Sequence, residues 1–132
     1  MRSREYAQIL LRKAAQDELA MKLLLSHPES PDDAVGFHAQ QAVEKLLKAV
    51  LVSKEVRYRW RHDLVELIDL MIENGIAFPP ELEDVRRLNP FAVELRYDDL
   101  PEGEDELLDR QWASNCVKRL TEWAESIVNA HQ

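Results

Sequence analysis

Apolar residues recur along this chain at helical spacing. Between positions 35 and 51 they fall at Val35, Ala39, Ala42, Val43, Leu46, Leu47, Val50 and Leu51, the three- and four-residue steps of a helix with one strongly buried face. The same reading predicts five helical segments. The first covers Ser3–Leu25, with Tyr6, Ile9, Leu10, Ala14, Met21, Leu24 and Leu25 supplying apolar contacts. It stops before Ser26-His27-Pro28, because proline disfavours helix in the residue ahead of it. The second starts at Pro31-Asp32-Asp33, where proline and carboxylates suit a helix N-terminus, and runs to Ser53. The third begins near His62-Asp63, carries Leu64, Leu67, Ile68, Met71 and Ile72, and is ended by Gly75. The fourth opens at Pro79-Pro80, passes through Leu82, Val85 and Leu88, and is interrupted at Asn89-Pro90, with a further turn over 91–95. The last spans 105–130, with Ala113, Cys116, Val117, Leu120, Ala124 and Ile127 on one face. No segment shows the two-residue alternation that a strand requires. The expected fold is all-α: one domain over 1–132, an up-and-down bundle of four to five helices.

Composition narrows the function classes. A net charge of −8, from 17 basic and 25 acidic residues, argues against a general nucleic-acid-coating protein but leaves room for a local basic site. The single cysteine, Cys116, can form no intramolecular disulfide and fits a reducing cytoplasm. It reads as a small apolar residue on a helix face. The charged N-terminal stretch lacks a signal-peptide core, and the longest apolar runs fall far below the ~20 residues of a membrane span. A cytoplasmic protein without membrane attachment is expected. His27, His38, His62 and His131 show no zinc-site spacing. The acidic loop (Asp98, Asp99, Glu102, Glu104, Asp105 and Glu106) lacks the order of a calcium-binding loop. It reads as a solvated lead into the last helix. No metal or cofactor is expected.

Three places could carry chemistry. Gln40, Gln41, Glu44, Lys45 and Lys48 flank the apolar stripe of the second helix, and a core helix needs only the stripe. The linker Arg57-Tyr58-Arg59-Trp60-Arg61-His62 alternates cations and aromatics, which can neutralise phosphates and stack on bases. It can equally be a solvated linker whose Tyr58 and Trp60 pack back on the bundle. Just after it, Asp63 suits capping of the third helix, and His62 could bond a neighbouring backbone group. Finally, Arg96 and Tyr97 sit where helical pattern gives way to loop, from which they can point into an interhelical cleft.

The run FHAQQAVEKLLKAVL, then His62-Asp63-Leu64, Pro80-Glu81-Leu82 and Arg96-Tyr97-Asp98, resembles the HEPN family (higher eukaryote and prokaryote nucleotide-binding domain) in order and spacing. The resemblance implies a homodimeric helical bundle, paired with a small nucleotidyltransferase in toxin–antitoxin systems. Many relatives are metal-independent ribonucleases that use an arginine and a histidine with four to six residues between them. Here Pro101, Glu102 and Gly103 occupy those places after Arg96. Arg57 and His62 meet the spacing, but inside the linker. Three readings follow. The first is a nucleotide- or partner-binding domain whose cleft is lined by Gln41, Glu44, Lys45, Lys48, His62, Arg96 and Tyr97, with nucleotide or RNA as ligand. In it Lys45, Lys48 and Arg96 meet phosphates and Glu44 orients one of the cations; the same residues could instead form a buried ion network. The second is a ribonuclease toxin with Arg57, His62 or Arg96 as its catalytic groups. The third is a purely structural dimerisation module.

Overall fold

The computed structural model describes residues 2–59, 62–92 and 108–130. Four α-helices, α1 (Ser3–Leu25), α2 (Asp32–Ser53), α3 (Leu64–Glu73) and α4 (Arg110–Val128), enclose one core together with a 3₁₀ helix at Pro80–Ala92. No strand occurs among the described residues. The fold is an all-α helical bundle. Arg96, Tyr97, Trp60, Arg61, His131 and the acidic loop 98–106 lie outside the described residues.

α2 is the central element and packs against α1, α3, α4 and the 3₁₀ helix. Its inward stripe, Val35, Ala39, Ala42, Val43, Leu46, Leu47, Val50 and Leu51, is 0–1% exposed, as the periodicity predicts. α1 runs antiparallel to α2, since Tyr6 reaches Tyr58 beyond the end of α2 while Asp17 reaches His38 and Lys45 further back. α4 starts beside the start of α2, where Arg110 Nε donates to Asp32 Oδ1 at 2.9 Å and to Ser30 through its terminal nitrogens. It ends beside the start of α1, where Gln8 bonds Asn129.

Three expectations change. The fourth segment is 3₁₀-helical and continues through Asn89-Pro90 to Ala92. Its buried residues Leu82, Val85 and Leu88 recur every third position, the period at which 3₁₀ side chains align. Pro90 deletes one backbone donor, but Leu88 in the core and Phe91 against Gly36 of α2 hold the path on either side. The last helix begins at Arg110 rather than 105, because Asp109 is its N-cap and accepts from the Trp112 amide at 3.0 Å. Ile72, expected to supply core contact, is 52% exposed on the outer face of α3. Gly75 does end α3, in the left-handed conformation (φ +76°) that glycine adopts without strain.

Candidate functional site

A charged network sits inside the bundle where α2 meets the linker and α3. The Glu44 side chain is only 4% exposed, and Lys48, one turn further along α2, donates to its Oε2 at 2.7 Å with a side chain 9% exposed. Gln40, one turn earlier and fully buried, donates to Glu44 Oε1 at 3.2 Å. His62 Nδ1 lies 2.9 Å from Oε1 and 3.0 Å from Oε2. An ionised carboxylate can only accept, so this contact selects the tautomer with the proton on Nδ1. Tyr58 completes the cover, its ring centroid 5.3 Å from Lys48 Nζ. Burial, the hydrogen bond to Tyr6 and the nearby Glu44 charge together push the Tyr58 hydroxyl well above the usual tyrosine range. It stays protonated across physiological pH.

The physical logic is local pairing. A carboxylate withdrawn from water needs an opposite charge and hydrogen bonds on its remaining lone pairs, and the four-residue steps from Gln40 to Glu44 to Lys48 supply both from a single helix face. His62 carries the network outward, with a side chain 60% exposed. Its bond is to the Glu44 carboxylate, not to the backbone group expected from sequence. Asp63 does cap α3, accepting from the Glu66 amide at 3.2 Å.

The other candidates are placed differently. Lys45 leaves the network for the Asp17 carboxylate of α1, which also meets His38 Nδ1 at 3.1 Å. Gln41 borders the network and donates to Gln40 Oε1 at 2.7 Å. Arg57 lines a neighbouring groove of about 610 Å³ with Arg59, Asp63, Glu66, Asp69 and Glu73; His62 is not among the described residues lining it. Sequence reasoning gave Gln40 no role of its own, although its four-residue step to Glu44 was visible. No group of three or more metal-ligating side chains occurs among the described residues, and no described helix is long and apolar enough to cross a membrane.

A family model for the HEPN domain matches residues 7–129, nearly the whole chain. The chain belongs to the HEPN family. A Methanocaldococcus jannaschii protein named "Putative toxin" is 38% identical over 58 residues, which are 44% of this chain and 36% of that protein. The match therefore spans little more than a third of the relative's length. No solved structure matches the chain. Within this HEPN domain the lone thiol stands apart from the site. Cys116 is fully buried in α4 and burial pushes it up to about 11. At pH 8 roughly one thiol in a thousand is then a thiolate. A disulfide-exchange reagent should label Cys116 only after denaturation; rapid labelling of the native protein would contradict the packing of α4.

Proposed function

We propose that this chain is a toxin-type HEPN domain that binds the phosphate of a nucleotide or RNA beside His62 and works with a small nucleotidyltransferase as its antitoxin partner. The observation that carries the reading is the fixed imidazole. Nδ1 is held by a buried carboxylate, so the opposite ring nitrogen, Nε2, is left on the solvent side of a 60% exposed side chain. Lys48 is neutralised by Glu44 and covered by Tyr58, and Lys45 is paired with Asp17. Their role is to hold the site. Phosphate contact then falls to His62, to Arg57 of the adjoining groove and, in the same reading, to Arg96, with Tyr97 stacking on a base. The homodimer and the cytoplasmic location belong to this reading, and the relative named as a toxin supports it.

Calorimetric titration of the intact protein with ATP, GTP and a short RNA tests it. Saturable binding by one of the three, weakened about tenfold or more by His62→Ala (~1.4 kcal/mol), is expected. Absence of heat with all three removes the proposal.

A ribonuclease reading has one observation in its favour. A histidine oriented by a carboxylate, with its second nitrogen outward, is equipped to exchange a proton with a ribose hydroxyl or a leaving oxygen. Expression of the wild type and His62→Ala in a bacterial host separates the two readings. Cleaved RNA and arrested growth with the wild type alone would establish catalysis; identical growth and intact RNA leave binding only.

A further inference from the structure

We infer that Asn89 is the positioning residue for His62, acting through Asp63; the inference rests on His62 being the ligand-facing group. His62 is mostly exposed and has little packing of its own, so its orientation depends on where the backbone at the start of α3 is held. That start is tied twice from outside the helix. Asn89 Oδ1 accepts from the Leu64 amide at 2.8 Å, and Asn89 Nδ2 donates to Asp63 Oδ1 at 3.3 Å. The same Asp63 oxygen caps α3 through the Glu66 amide.

Capping alone does not require the second residue. The amide of the first helical residue is one of the donors a helix leaves unsatisfied, and at an exposed terminus water serves it. Asn89 instead comes from the 3₁₀ helix, twenty-five residues further along the chain. Its segment is rigid, because Leu88 is fully buried and Phe91 lies against Gly36 of α2. The amide therefore couples Asp63, held in an extended conformation (φ −119°, ψ 103°), to a fixed platform. His62 is one peptide away, and its imidazole meets Glu44 from that anchored position.

The arrangement can be broken at the Asn89 amide alone. Asn89→Asp keeps the acceptor for Leu64 but places a carboxylate against Asp63. Nitrogen-15 NMR of the intact labelled protein at pH 8, where an ordinary histidine is neutral, reads the His62 tautomer directly. The wild type should show the Nδ1–H form. Asn89→Asp, or the uncharged Asn89→Ala if the aspartate variant folds poorly, should lose it toward the Nε2–H form of an unrestrained imidazole. Val128→Ala, a core truncation at the end of α4 and outside the 3₁₀ helix, should leave the tautomer unchanged. An unaltered tautomer in both Asn89 variants overturns the inference, as does an equal change in Val128→Ala. Titration with ATP, GTP and short RNA on the same samples keeps the two claims apart: no wild-type binding removes the ligand reading, while the tautomer still reports on Asn89.

Discussion

Glu44→Ala should destabilise the protein by about 3–5 kcal/mol, the cost of breaking a buried ion pair by removing one of its members. Lys48, with a side chain only 9% exposed, loses the carboxylate to which it donates, and the buried Gln40 amide loses its acceptor. The loss should appear as a lower urea midpoint without a large change in slope. Replacing both charges, as Glu44→Leu with Lys48→Met, should recover most of the stability, because two apolar groups of similar volume need no partner. The double variant should nevertheless lose the ligand response, since His62 no longer has its carboxylate. A loss below about 1 kcal/mol for Glu44→Ala would mean that water or a second partner serves Lys48.

Gly36→Ala should cost about 1–3 kcal/mol, despite the higher helix propensity of alanine. A β-carbon at position 36 would lie 2.3 Å from Phe91 Cδ1 and 2.6 Å from Cγ. These are ring atoms close to the Phe91 backbone, so relief requires moving the end of the 3₁₀ helix. Exposed glycine-to-alanine changes inside helices gain about 1 kcal/mol, and this gain only offsets part of the clash. Thermal melts of Gly36→Ala, Phe91→Leu and the double variant decide the sign. The double variant should be more stable than the sum of the two single losses predicts, because the smaller side chain makes room for the methyl group. Simple additivity would indicate that Phe91 has already moved aside.

Where packing follows one helix face, the chain announced its structure. The bounds of α1 and α2 agree with the sequence expectation because Pro28 and Pro31 separate the two helices and the apolar steps are regular. The 3₁₀ helix did not declare its type, although Leu82, Val85, Leu88 and Phe91 stand at strict three-residue spacing. Periodicity of that kind also fits one side of an α-helix over so short a stretch. The site was partly legible for a related reason. Glu44, Lys48 and His62 could be nominated from residue type and spacing. Sequence alone does not show that Lys45, one residue on from Glu44 and turned 100° around the axis, faces α1 and finds Asp17. Asn89 and Tyr6 act across the fold, through contacts that only tertiary structure creates.

The central position of α2 has a consequence for hydrogen exchange. A helix packed against every other helix can open its amides only when the whole domain opens. The α2 amides around Val43–Leu47 should therefore exchange at the rate set by global unfolding, while those at the start of α3 exchange through smaller openings. On that expectation Glu44 lies in the slowest-opening part of the molecule and His62 in a faster one. The hydrogen bond between them joins two regions with different lifetimes, so their exchange rates should separate wherever that bond is lost.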